Sequence, residues 1–268
     1  MTSENWLNQM TNERRVFDLG MELYHGMPHH PFHAPFMYEM AREHGDLVFG
    51  QGVTSAYDVF GMSCHTGTHF DGLGHFAKNL CLHRGRPAAA LQSKTGGISE
   101  LGIEHIAPIV RRGVLLDVAG TLGVPALDPQ HVIGPPELEA AAKAAKVDLR
   151  SGDAVMIRTG WIKHWPDQRR YYSIQTGTPG INLDAAKWAT DQGVFCLGSD
   201  NFGVEYIPAP DDAYPVHVHC LIEKGVHIME VVNLEEISKA GVHEFLLVMA
   251  TLKIRGGTAS PVRPLAIA

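Results

Sequence analysis

Apolar and polar positions along the chain fall into two periods. Residues 16–24 (V-F-D-L-G-M-E-L-Y) and 53–60 (V-T-S-A-Y-D-V-F) mix the two kinds at strand-like spacing. Residues 113–118 (G-V-L-L-D-V) and 154–158 (A-V-M-I-R) are short apolar runs of the sort that buried strands carry. Residues 136–146 predict a helix opened by proline, and residues 183–193 a short helix closed by glycine. Further on, 194–198 predicts a buried strand, 217–224 a helix that stops at Gly225, 226–232 a strand, and 245–254 a last apolar strand. Strands alternating with helices in this way predict a single α/β domain around a mixed, mostly buried sheet. No repeat, low-complexity tract or linker interrupts the pattern. Residues 1–268 are therefore expected to form one domain, with 1–15 as an N-terminal extension. The proline-rich stretches 28–35 and 208–215 are expected to be long ordered loops.

Composition narrows the class. The 268 residues are 45% hydrophobic and 19% charged, ordinary values for a globular protein, and no apolar run approaches the roughly 18–20 residues of a membrane span. The first residues carry neither the basic start nor the apolar core of a secretory signal, so the expected location is the cytoplasm. Cys64, Cys81, Cys196 and Cys220 lack C-x-x-C spacing and are expected to be reduced thiols. A net charge of −7 without a basic cluster argues against nucleic acid as partner and leaves a small-molecule substrate. Sixteen histidines are many, and those at 29, 30 and 33 sit among prolines, where a solvated loop is the plainer expectation.

The chemistry concentrates in residues 65–75, H-T-G-T-H-F-D-G-L-G-H. His65, His69, Asp71 and His75 lie within eleven positions, and imidazole nitrogen with carboxylate oxygen suits Zn, Mn or Fe better than Ca or Mg. Gly67, Gly72 and Gly74 argue against a long helix and for a tight turn or junction at the end of a strand. On an extended segment His69 and Asp71 project to the same side. Four buried titratable groups without a metal would be costly. Glu230, sharing a strand face with Ile228 and Val232, interrupts an apolar stripe and likewise needs a partner. Phe70, Phe76 and Trp161 stand beside these motifs and are candidates to hold a small flat ring.

The spacing H-x-G-T-H-x-D-x-(P/L)-x-H resembles the signature of the metal-dependent cyclase-like hydrolases, the group that includes bacterial kynurenine formamidase and isatin hydrolase. Residues 152–161, 179–182, 198–205, 215–230 and 256–263 resemble that family in the same order, so the likeness runs from about Asp18 to the end. It implies a swivelling β/β/α fold and hydrolysis of a carbon–nitrogen bond in an aryl formamide or cyclic amide. It also implies one or two Mn or Zn ions. His69 and Asp71 would be ligands, joined by His65 at a second position and by His217 and Glu230 downstream, with His219 a near neighbour of His217. His75 would be the catalytic acid/base, passing a proton to the leaving nitrogen. The kynurenine formamidases place proline where this chain has Leu73, and the D-G-L-G-H form looks closer to the isatin-hydrolase-like branch. A lactonase or esterase on the same activated water, or a silent metal- or ligand-binding protein, are the alternatives. A homodimer or homotetramer is expected from base rates alone.

Overall fold

The structure, a computed structural model, describes residues 14–173, 176–209, 211 and 213–268. In chain order its main elements are β1 (Val16–Asp18), β2 (Met37–Arg42), β3 (Tyr57–Gly61), β4 (His69–Asp71), β5 (Ile109–Asp117), α1 (Pro135–Ala145), β6 (Ala154–Arg158), α2 (Leu183–Thr190) and β7 (Cys196–Ser199). There follow α3 (Pro215–His217, continued by wider π-helical turns over Val218–Lys224), β8 (His227–Glu230), α4 (Glu235–Lys239), β9 (Glu244–Met249), β10 (Ala259–Pro261) and β11 (Leu265–Ile267).

Nine of these strands make one mixed sheet in the order β1-β11-β9-β5-β6-β7-β8-β4-β10. The central strands β5 to β8 run parallel, and the chain between successive members carries α1, α2 and α3 in turn. The flanking strands β4 and β10 on one side, and β9, β11 and β1 on the other, pair antiparallel. Period-two alternation divides the apolar side chains. Val114, Leu116, Val155, Ile157, Leu197 and Ile228 pack with Leu138, Ala185 and Leu221 from the three helices. Their neighbours Leu115, Met156, Cys196 and Met229 turn to the other face and pack with Phe245, Leu247 and Ile237, so the sheet curls around a second core. Each fully buried side chain of this size contributes roughly 1.5–3 kcal/mol.

The helices begin where their caps dictate. Pro135 opens α1, and the Glu137 carboxylate accepts the Gly134 N–H at 2.9 Å. Asn182 accepts the Ala185 N–H at 2.8 Å to start α2.

The α/β expectation holds, with shorter strands. Of residues 16–24 only Val16–Asp18 is strand, because from Leu19 on the backbone bonds outward to the chain end, Leu19 N–H to Pro264 O. The strand expected over 53–60 is Tyr57–Gly61, which pairs with β2 in a separate two-stranded hairpin and not with the main sheet. The last apolar strand stops at Met249. Most of the expected N-terminal extension, 1–13, lies outside the described residues. Arg15 belongs to the body, since it exchanges two 3.0 Å backbone hydrogen bonds with Ala268. All four cysteines are free, and no helix among the described residues is long and apolar enough to cross a membrane.

Candidate metal centre

β4 and β8 lie side by side in antiparallel register, with His69 opposite Glu230 and Asp71 opposite Ile228. Alternation then places His69, Asp71 and Glu230 on the helix-bearing face, at the C-terminal end of the parallel strands where open α/β sheets present their functional groups. His65 arrives from the turn before β4. Gly67 in that turn has φ +69°, and a Cβ there would meet Leu23 and Met27 at 3.1 Å, so only glycine is unstrained. Thr68 anchors the turn: its hydroxyl donates to Val231 O at 2.6 Å and accepts the Met21 N–H at 2.9 Å.

Three of the four imidazoles, those of His65, His69 and His217, are held by one nitrogen and present the other. His69 Nδ1 bonds Gly67 O at 2.8 Å, leaving Nε2 3.3 Å from Glu230 Oε2 and 3.6 Å from Asp71 Oδ1. His65 Nε2 bonds the Thr258 hydroxyl at 3.0 Å, and its Nδ1 lies 2.9 Å from Asp71 Oδ1. His217 Nδ1 lies 2.5 Å from Glu205 Oε1, and its Nε2 lies 3.2 Å from Glu230 Oε1. His75 stacks on His65 with ring centroids 3.9 Å apart, and its Nε2 is 4.0 Å from Asp71 Oδ2.

Among the described residues no donor is hydrogen-bonded to either oxygen of the fully buried Asp71 carboxylate. The approach of His65 Nδ1 is close but not aligned as N–H···O, so ring and carboxylate face shared space. A buried carboxylate that accepts no hydrogen bond is costly, and a cation between these groups removes that cost. Among the described residues two sets of donor atoms converge closely enough to hold an ion, His65–Asp71–His75 and His69–Asp71–Glu230, sharing Asp71. The residues fit a divalent metal.

Electrostatics agree. Burial opposes charge on His69, but Glu230 and Asp71 lift it to about 9. For His217, burial is likewise outweighed by Glu205 and Glu230, which raise it to about 10. Asp71 and Glu230 are held below the usual carboxylate range despite burial, Asp71 by His75 and His65, Glu230 by His217 and His69. Burial dominates at His75 and, helped by His65 and His217, pushes it to about 3 against the pull of Asp71 and Glu230. The site thus balances carboxylates with ring protons, which a metal would displace.

Comparison with known proteins decides the family. The family model described as cyclase matches residues 17–206, a span that holds the whole histidine motif and ends before His217 and Glu230. The chain belongs to the cyclase family. Isatin hydrolase of Roseibium aggregatum is 26% identical over 208 residues, 76% of this chain and 71% of that protein. A crystal structure described as a novel cyclase superposes with a TM-score of 0.88 at 29% identity, covering 100% of this chain and 92% of the other. Isatin hydrolase A from Ralstonia solanacearum shares the fold, with a TM-score of 0.76 at 22% identity, covering 100% and 98%.

In this cyclase-family member His65, His69, His75, His217 and Glu230 all line one pocket of about 140 Å³, with Phe76 on its wall. Phe70 does not reach it. It stands between His69 and Asp71 on β4, so alternation turns it to the opposite face, fully buried beside Phe195 and His227. Trp161 is also core: it is 1% exposed, and its indole N–H donates to Tyr171 O. His219 turns away from the pocket, its Nε2 2.9 Å from the Thr190 hydroxyl and its Nδ1 3.1 Å from Glu223. His30 and His33, expected to be solvated, line the pocket with Phe202, Ile207 and Tyr214. His33 is tied there by a 3.2 Å bond to His65 O.

Two departures from ordinary backbone flank the carboxylates. Val204 and Val231 both have φ +58°, a left-handed conformation that a β-branched side chain disfavours by about 1–3 kcal/mol. Val204 precedes Glu205, and Val231 follows Glu230. The loop is held by Asn201, whose Oδ1 accepts the Val204 N–H at 2.7 Å and whose Nδ2 donates to Pro179 O at 2.6 Å. Glu205 was legible only as part of a motif, because nothing local says that it stands behind His217.

Proposed function

We propose that this chain is a metal-dependent hydrolase that opens a carbon–nitrogen bond of a small cyclic amide or aryl formamide, in the manner of isatin hydrolase. The observation that carries the reading is the buried Asp71 carboxylate, without a donor and ringed by three imidazoles. A mixed nitrogen and oxygen donor set suits Zn or Mn. His65, His69, Asp71, His217 and Glu230 would hold one or two such ions. Bound there, a divalent ion supplies Lewis acidity and lowers the pKa of a water from about 15.7 toward 7.

The chain's own groups supply the rest. His75 is the most open of the four site imidazoles, 23% exposed against 9% for His65, 3% for His69 and 5% for His217. Being neutral, it accepts a proton at Nε2 as the water oxygen attacks the carbonyl carbon. It returns that proton to the nitrogen as the carbon–nitrogen bond breaks. Asp71 and Glu230 stabilise the positive charge that gathers on the ring. Neither Ser63 nor Cys64 is needed as a nucleophile, and burial pushes the Cys64 thiol up, away from reactivity.

Size and lining favour a flat, compact substrate. A cavity of about 150 Å³ holds one benzene ring, close to the volume here. Phe76, Phe202 and Tyr214 offer aromatic faces, with Ile207 beside them. The isatin-hydrolase relative makes isatin the first compound to try, and N-formylkynurenine the second.

The test is elemental analysis of protein purified without added metal, followed by assays of both compounds before and after chelation. Bound Zn or Mn with chelator-sensitive ring opening or deformylation supports the reading. No metal even after Zn and Mn are offered back rejects it.

A further inference from the structure

The loop that carries His30 is built to hold its ring. Pro31 presets the second position of a turn over residues 30–33, which the His33 N–H closes on His30 O at 2.9 Å. Inside that turn the Phe32 N–H donates to His30 Nδ1 at 3.3 Å. The ring packs against His33, Phe202 and Tyr172, with centroids 5.0, 5.9 and 6.0 Å away. On either side the loop is tied to the body, by the Met27 N–H to Tyr24 O at 3.0 Å and by the Ser63 N–H to Ala34 O at 3.3 Å.

The bond from Phe32 decides the tautomer. A ring nitrogen that accepts an N–H carries no hydrogen of its own, so the proton of the neutral His30 ring sits on Nε2. Burial, helped by His29, lowers the pKa of this ring against the pull of Glu230, which keeps it neutral. Nε2–H is therefore a donor, and among the described residues no group accepts from it. The ring lines the pocket, and Nε2 is its nitrogen farther from the backbone.

The neighbouring wall does not repeat this arrangement. His33 turns its Nδ1 to His65 O, an atom that can only accept, so the hydrogen of its neutral ring is used there. Phe76, Phe202 and Ile207 bring no side-chain donor. Across the pocket the imidazoles of His65, His69, His75 and His217 gather around Asp71 and Glu230. A flat ring seated between the two walls thus meets the reacting groups at one edge and an N–H at another.

We infer that His30 is a specificity-determining residue whose Nε2–H takes a second carbonyl oxygen on the substrate ring, so that the pocket selects α-oxo lactams and cyclic imides over simple lactams. The inference rests on the hydrolase reading above and names the substrate class for it. A carbonyl suits the donor better than a carboxylate does, because Glu230 lines the same pocket and opposes a second anion. A volume of about 140 Å³, room for one ring, keeps that oxygen on the ring itself. A lactam without it would displace water from Nε2–H and leave the donor unpaired, and sites built around a hydrogen bond reject ligands that cannot make it.

The test is steady-state kinetics on the metal-loaded wild type, His30→Phe and His30→Gln, with isatin as substrate and 2-oxindole, the same ring lacking the second carbonyl, as competitive inhibitor. His30→Phe keeps a ring in place and should raise KM for isatin about 3- to 10-fold with kcat nearly unchanged, because a bond to a spectator oxygen is the same in ground and transition states. The Ki of 2-oxindole should not move. His30→Gln, which brings an N–H of its own, should return KM toward the wild-type value. Equal losses for both compounds, or a fall in kcat at constant KM, overturn the assignment. If isatin is not hydrolysed at all, the hydrolase reading fails by itself, and His30 is then judged by proton–nitrogen correlation spectra of histidine-labelled protein, with His30→Phe identifying the resonance. A ring proton on Nε2 that shifts with isatin and not with 2-oxindole upholds the donor role. A proton on Nδ1, or the same response to both compounds, overturns it.

Discussion

Glu205 stands directly behind His217, with Oε1 2.5 Å from the ring Nδ1 and also accepting the His217 N–H at 3.1 Å, while Oε2 accepts the Val216 N–H at 3.2 Å. Three donors on one buried carboxylate fix the ring so that Nε2 faces Glu230 and the pocket. Orienting partners of this kind set the tautomer and basicity of a ligating imidazole. Glu205→Gln should turn an amide N–H against a backbone N–H and weaken metal binding about 10- to 100-fold, as read by competition with a chromophoric chelator.

His75 should separate catalysis from metal binding. His75→Gln is expected to lower kcat by about 10²–10⁴ while the metal content of the purified protein stays at the wild-type level. Loss of metal together with activity would make His75 a ligand, as its nearness to His65 and Asp71 would also allow.

The two phenylalanines flanking Asp71 and His75 in sequence should behave oppositely. Phe70→Ala empties a fully buried core position and should cost about 3–5 kcal/mol of stability, seen as a lower Tm. Phe76→Ala removes a pocket wall that is only partly buried and should raise KM, with a smaller fall in Tm than Phe70→Ala. Equal effects of the two on KM would contradict the alternation that points them apart.

Arg158 joins three elements, bonding Asp117 at 2.9 Å and Glu235 at 2.8 Å, and Ser238 and the Gly120 N–H complete the shell of Asp117. Burial raises the Asp117 carboxyl, but Ser238, Gly120 and Arg158 together hold it below its ordinary value. A carboxyl depressed in the folded state contributes stability that is complete above the unfolded value of about 3.9 and is lost as pH falls through the folded one. The Tm gap between wild type and Asp117→Asn should therefore be constant near neutrality and close below about pH 4. Arg158→Met, which takes the guanidinium from Asp117 and from the partly exposed Glu235, should cost roughly 1.5–3 kcal/mol at pH 7.

Removing the metal should also be visible in stability. An ion present at about a hundred times its dissociation constant adds about 2.7 kcal/mol, and for a chain of this size each kcal/mol moves Tm by about 2–4 °C. Chelation should lower Tm accordingly, and Zn or Mn in excess should restore it; a Tm indifferent to both would contradict a site at Asp71.

The sequence by itself determined the parts whose logic is local. The spacing of His65, His69, Asp71 and His75, the glycine turn before β4, the caps of α1 and α2 and the apolar runs of the parallel strands all follow from neighbours a few residues apart. Alternation on β4 was legible too, and followed one step further it turns Phe70 away from His69 and Asp71. Only the tertiary structure decided which distant groups converge. Strand pairing places Glu230 opposite His69, a turn holds Glu205 behind His217, and the fold carries His30 and His33 from a proline-rich loop to the pocket wall. Register and curl of a nine-stranded sheet are set by the summed burial of both its faces, and no window of sequence contains that sum.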